Sequence, residues 1–149
     1  LTGIPTEDPT DPAVETDVGD LTLVFEDNFD EIGGQPNPDN WDHEIGRGDG
    51  GWGNGELQTY TASTDNSQIV DLIAADGTEL DTDGNDDGKN GALKIIATRS
   101  GGEITSARLK SDIDLNAYGY YEVRAKLPSE TGAWPAIWLL GDLGREGGA

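Results

Sequence analysis

The sequence predicts an all-β domain, and three observations carry that prediction. Short runs rich in valine, isoleucine, threonine and aromatics are separated by clusters of glycine, asparagine, aspartate and proline, the punctuation of strands joined by turns. Residues 118–127, YGYYEVRAKL, keep a period of two that sets Tyr121, Val123, Ala125 and Leu127 on one face and Glu122, Arg124 and Lys126 on the other. No segment sustains the 3.6-residue period of an amphipathic helix.

Residues 1–20, LTGIPTEDPTDPAVETDVGD, hold six acids, three prolines and no base, the composition of a disordered tether rather than of a packed element. A domain spanning 21–149 follows. Its first strand is expected over the apolar run 21–29, its second over 41–45 after the turn-forming NPDN. There Trp41 reads as core, and His43, the only histidine, as a strand residue satisfied by its neighbours. Strands at 56–61, 69–73, 92–99 and 104–110 come next, then 118–127 and 136–140, the last beside Pro135, which favours a bulge or a sheet edge. Between the fourth and fifth strands, residues 76–90 read DGTELDTDGNDDGKN, too polar for a core and expected as a solvent-exposed loop. Asp83, Asn85, Asp87 and Gly88 imitate the first half of an EF-hand loop. The twelfth position is Lys94, where a bidentate glutamate is needed, so a solvated insertion is the favoured reading.

The formal charge of −21, from 30 acids and 9 bases, argues against a nucleic-acid partner, which needs a basic face. A neutral ligand fits better. With no cysteine there is no disulfide or thiolate chemistry to consider. No window reaches the ~20 apolar residues of a membrane span.

Residues 51–61, GWGNGELQTYT, are the strongest pointer to function. Gly51, Gly53 and Gly55 let the backbone adopt positive φ and approach another surface, while Trp52, Asn54 and Glu56 project between them. An aromatic plate suits the C–H face of a sugar, and an amide both donates and accepts, as vicinal hydroxyls require. A Gly-rich hairpin with a packing tryptophan is the plain alternative. Alongside it stand VFEDNFD at 24–30, ITSARLKS at 104–111, YGYYEVRAKLP at 118–128 and GAWPAIWLLG at 132–141. In that order these segments resemble the laminarinases of glycoside hydrolase family 16, over residues 21–141.

The resemblance implies a β-jelly-roll sandwich of the concanavalin A-like lectin/glucanase type, incomplete here, and a secreted or cell-surface enzyme that cleaves β-1,3-glucan, with β-1,3-1,4-glucan as a second substrate, with retention. It implies that Asn54 and Arg108 bind glucose hydroxyls and that Trp134 and Trp138 line the groove. Trp52 would extend that platform, and Glu56 either bonds a sugar or anchors its own loop. Arg108 has an alternative role as a fork holding a nearby acid, and Trp138 an alternative place in the core. Many family members carry a structural calcium, to which backbone oxygens near Glu26 could contribute. No other cofactor is implied.

A retaining glycosidase needs two carboxyl groups ~5 to 5.5 Å apart, and the family supplies them from a strand reading approximately E-I-D-I-x-E beyond the WPAIWLLG element. The sequence ends at Ala149 without that strand. Glu79, Asp81 and Asp83 lack apolar neighbours to raise a pKa, and Asp112 and Asp114 lack flanking glutamates. No catalytic residue is therefore expected in this chain, and alone it is expected to be inactive and unstable or oligomeric. The alternatives are a non-catalytic β-glucan-binding module and a family 16 enzyme for another polysaccharide such as a galactan or xyloglucan.

Overall fold

The computed structural model describes Gly19, residues 21–73, Gly77, residues 90–111, Ile113, Leu115 and residues 118–141. Most of the tether, most of the acidic loop, and Asp112 and Asp114 lie outside the described residues. The architecture is all-β, in open sheets without barrel closure. Seven strands are present among the described residues: β1 Trp41–His43, β2 Thr59–Tyr60, β3 Ser67–Asp71, β4 Gly91–Ile95, β5 Thr98–Ser100, β6 Glu103–Ser106 and β7 Leu109–Ser111. Such sheets agree with an incomplete jelly roll. The chain divides into two compact units, one holding Leu23–Ile113 and the other Asp17–Thr22 with Asp114–Ala149.

In the first unit β1 pairs antiparallel with β7, and the ladder runs on through Glu44 N–H to Arg108 O at 3.0 Å. Strand β6 sits between β2, which it meets in parallel, and β5, which it meets antiparallel. The β5–β6 link is Gly101-Gly102, with φ of 58° and 93°. Two consecutive positive φ values give the mirror-image turn whose twist matches that of a hairpin. Strands β3 and β4 form a third ladder, from Ser67 opposite Ile95 to Asp71 opposite Gly91. Gly33 and Gly34 extend it on the far edge of β3, donating to and accepting from Ile69.

The interior of this unit is partly polar. Ile69 and Ala107 are buried, but so are Asn66 and Ser67, at 2% and 0% exposure. Asn66 accepts from Thr61 Oγ1 at 2.7 Å and donates through Nδ2 to Ile96 O and Thr105 Oγ1. Every arm of its amide is satisfied, so its burial costs little and ties three segments together. Asp27 plays a similar part at the edge. Its Oδ1 accepts from Phe29 N–H, and its Oδ2 from Asn40 Nδ2 and the indole Nε1 of Trp41. Trp41 is half-buried, with the rings of Phe25 and Phe29 at 6.1 and 6.0 Å between centres.

His43 is satisfied locally, as the sequence suggests. Ser67 Oγ donates to Gln35 Oε1 at 3.0 Å, which commits its proton and leaves it to accept from His43 Nε2–H at 2.7 Å. Burial pushes the His43 pKa below its usual 6.5, against a smaller opposite pull from Asp42. Because the folded pKa is depressed, the unfolded chain takes up its proton first as pH falls. Stability from this residue is present above pH 6.5 and is lost on acidification below it. The urea midpoint should therefore fall between about pH 7.5 and 5.5, and His43→Gln should flatten that part of the profile. An equal slope in both proteins would assign it to other groups.

Three expected strands are not formed. Residues 21–29, 118–127 and 136–140 are irregular among the described residues. Tyr121, Val123 and Leu127, expected on a buried face, are exposed. A period of two records which face a strand would bury; the ladder itself needs a second strand in register beside it. Three more differences are local, and in one the expected strand 104–110 divides into β6 and β7, which lie in different sheets. The expected strand 56–61 shrinks to β2, because Glu56 N–H turns back to Gly51 O. The expected strand 92–99 divides into β4, which pairs with β3 and whose ladder runs on through Ile96 N–H to Asn66 O, and β5, which pairs with β6 in another sheet.

Candidate functional site

The site is built where the Gly-rich segment meets the β1–β7 ladder. Gly46 and Tyr60 exchange both backbone hydrogen bonds at 2.8 Å, which closes residues 46–60 into a loop. Within it Gly51–Gly55 forms a wide turn, with Gly55 N–H to Gly50 O at 3.2 Å and Glu56 N–H to Gly51 O at 3.1 Å. Bonds five residues apart mark a π-type turn, a geometry concentrated at functional positions. Trp52 takes φ 57° and ψ 30° inside it. Left-handed backbone is strained for a bulky residue and is held only where its surroundings over-determine it.

Those surroundings are specific. The Arg108 guanidinium carbon stands 4.5 Å from the centre of the Trp52 ring, a cation–π contact. Gly48 lies so close to the same indole that a Cβ there would be 2.6 Å from Trp52 Cδ2, so only glycine fits. Tyr60 packs on Trp52 with ring centres 6.0 Å apart. Arg108 Nε donates to Glu44 Oε2 in a charge-assisted pair, which fixes the plane of the guanidinium. The indole Nε1 of Trp52 is buried and finds no acceptor among the described residues.

Below the turn, Glu56 Oε2 accepts from Tyr60 OH at 2.6 Å and from Gln58 Nε2 at 2.9 Å. Burial, and next the hydrogen bond to Glu56, push the Tyr60 pKa up from 10.0. The phenol keeps its proton and remains a donor. The Glu56 carboxylate thus accepts from its own loop. Asn54, by contrast, is exposed at the tip of the turn, and its side chain makes no hydrogen bond among the described residues.

Of the residues singled out in the sequence, Trp52, Glu56 and Arg108 meet in this cluster and Asn54 tops it. Trp134 and Trp138 lie in the second compact unit, 79% and 57% exposed. Trp138 is therefore not buried among the described residues. Glu44, Tyr60, Gln58 and Gly48 were missed. Residues 56, 58 and 60 share one face of an extended chain, so the Glu56–Gln58–Tyr60 set was legible in principle. Glu44 carried no comparable signal. Chemically the carboxylates of Glu44 and Glu56 are both engaged by donors from their own neighbourhood, which suits positioning rather than proton transfer. Among the described residues no group of three or more His, Cys, Asp or Glu is arranged to hold a metal ion.

No family model matches the chain. Curated relatives do. A beta-glucanase of Rhodothermus marinus is 38% identical over 133 residues, which cover 85% of this chain and 38% of that protein. A glucan endo-1,3-beta-glucosidase A1 of Niallia circulans is 34% identical over 140 residues, 89% of this chain and 18% of that protein. Over most of its length the chain is thus similar to beta-glucanases and glucan endo-1,3-beta-glucosidases, as a laminarinase-like fragment of glycoside hydrolase family 16 would be. A beta-1,3-glucan-binding protein of Penaeus monodon is also similar, at 31% over 143 residues, 79% of this chain and 37% of that protein. The chain spans between 18% and 38% of the length of these three relatives. No helix among its described residues is long and apolar enough to cross a membrane.

Proposed function

We propose that this chain supplies a glycan-binding wall of a retaining glycoside hydrolase that acts on β-1,3-glucan outside the cell. The observation that carries the reading is Arg108, stacked on Trp52 and pinned by Glu44 beside the turn that presents Asn54. A guanidinium and an amide at fixed positions match neighbouring sugar hydroxyls, and neither requires a charged ligand. The net charge of −21 disfavours nucleic acid and leaves a neutral polysaccharide as the partner. Trp134 and Trp138 would serve as further sugar plates, and Trp52 supports Arg108 as much as it meets the ligand. No cofactor enters the binding step.

A second reading, a β-glucan-binding module without catalysis, is favoured by the engagement of Glu44 and Glu56 and by the name of the Penaeus relative. Gene sequence encoding two glutamates flanking an aspartate in the next ~20 residues, within the ~200 to 250 of a single sandwich, supports the enzyme. Their replacement supports the module. Substrate class is tested by affinity electrophoresis of the chain in gels containing laminarin, lichenan or agarose. Retardation by laminarin is expected, with lichenan weaker. Retardation by agarose alone overturns the β-glucan assignment, and reducing-sugar release from laminarin by this chain overturns its expected inactivity.

A further inference from the structure

Two asparagine–glycine pairs occur in the chain, Asn54-Gly55 and Asn90-Gly91, and their surroundings differ in kind. We infer that Asn54 is a site of spontaneous deamidation and that Asn90 is protected from it. In this reaction the Gly55 amide nitrogen attacks Asn54 Cγ. A nitrogen–carbon bond forms, the Cγ–Nδ2 bond breaks, and ammonia leaves with the Gly55 amide proton. Water then opens the five-membered succinimide at either carbonyl, giving aspartate or isoaspartate. Nothing is oxidised or reduced, and water is the one co-reactant.

Ring closure requires an accessible side-chain amide, a following residue without Cβ, and room for the backbone to rotate. Asn54 meets all three. It is exposed, and no hydrogen bond among the described residues holds its amide. Its neighbours Gly53 and Gly55 have φ of 79° and 75°, and nothing lies within 4 Å of where a Cβ would stand on either. Glycine on both sides leaves the widest range of backbone rotation. The brake on the attacking nitrogen itself is the Gly55 N–H to Gly50 O bond, at 3.2 Å near the long end for such bonds.

Asn90 shares the following glycine but meets neither of the other two conditions. It is 7% exposed, its carbonyl accepts from Leu72 N–H, and Gly91 is paired opposite Asp71 in the β3–β4 ladder. Where a Cβ of Gly91 would stand, the Phe29 carbonyl oxygen is 1.8 Å away, so the backbone there cannot swing into a ring. Local sequence makes the two pairs equivalent; packing separates them.

The consequence for binding rests on the proposed function. Deamidation puts a negative charge at the exposed tip of the wall, and isoaspartate lengthens the main chain by one carbon ahead of Gly55 and Glu56. Retention on glucan should decline as the product accumulates. The test is peptide mapping by mass spectrometry of the whole chain aged at mildly alkaline pH in ¹⁸O-water, folded and in urea. Cleavage after Arg47, Lys89 and Lys94 places the two asparagines on separate peptides. Label should enter at Asn54 at least ~10-fold faster than at Asn90 in the folded chain, with comparable rates in urea. Asn54→Gln should abolish uptake in that peptide at this position, because its longer side chain disfavours the five-membered ring. Equal rates in the folded chain, or faster uptake at Asn90, overturn the inference. Laminarin retention of the aged chain is read separately. Unchanged retention alongside full conversion counts against the proposed role of Asn54 while the modification stands.

Discussion

Replacing Gly91 by alanine is expected to destabilise the first compact unit by about 3 kcal/mol or more, the upper range for overpacking a closed site. The added methyl would stand 1.8 Å from the Phe29 carbonyl oxygen and 2.6 Å from its carbon. Both are backbone atoms, so no rotamer change relieves the clash. Nor can Phe29 retreat freely. Its φ is 57°, a left-handed value uncommon outside glycine, and Asp27 Oδ1 holds its N–H at 3.0 Å. The same carboxylate receives Asn40 and Trp41, so moving Phe29 disturbs the packing of Trp41 as well. The urea midpoint followed by tryptophan fluorescence should drop by about 1 M or more. Gly141→Ala is the control, because nothing lies within 4 Å of its Cβ position, and it should change stability by less than ~0.5 kcal/mol. If the two variants behave alike, the close approach of Phe29 to β4 is not a feature of the protein in solution.

Arg108→Ala should have the largest effect on ligand binding, weakening laminarin retention by roughly 10- to 100-fold. This is the loss expected for hydrogen bonds from a charged donor, about 1.5–3 kcal/mol. Arg108→Lys should rescue little. Lysine keeps the charge but has neither the planar group that stacks on Trp52 nor a fork that bonds Glu44 and a ligand together. Glu44→Gln retains an acceptor for Arg108 Nε and should be milder than Glu44→Ala, which removes that acceptor. That graded series separates positioning from bulk stability, since all four variants should keep urea midpoints within about 1 M of one another. Laminarin retention by Arg108→Lys equal to that of the parent chain would exclude the stacked geometry as the reason for binding.

These two expectations differ in how they could have been reached. Arg108 was visible in ITSARLKS, and the alternative that it holds a nearby acid is realised by Glu44. The identity of that acid was hidden, because Arg108 and Glu44 are 64 positions apart in the chain and meet only through the β1–β7 ladder. Glu56 was left between a sugar ligand and a loop anchor, and in the structure its carboxylate accepts from Gln58 and Tyr60. The necessity of Gly91 had no sequence signal. Glycine at the start of a strand reads as a turn residue, and what forbids a side chain there is a carbonyl from residue 29.

The strand pattern was informative in the same uneven way. His43 and Trp41 occupy the roles their sequence suggested, one bonded to Ser67 and the other packed against two phenylalanines. The alternation in 118–127 was clear, yet that segment is not a strand among the described residues. Alternation records the chain's own side-chain order, while a ladder is a relation between two segments.

The sequence by itself determined the β class, the strong net negative charge, and the Gly-rich turn with its aromatic, amide and carboxylate. These follow from residue types and short spacings, which act over a few positions. Only the tertiary structure decided that Trp52 lies against Arg108, that Glu44 fixes Arg108, and that Asn54 stands open while Asn90 is closed in. Each of those depends on atoms brought close by strand pairing across tens of residues, and no local propensity encodes such a distance.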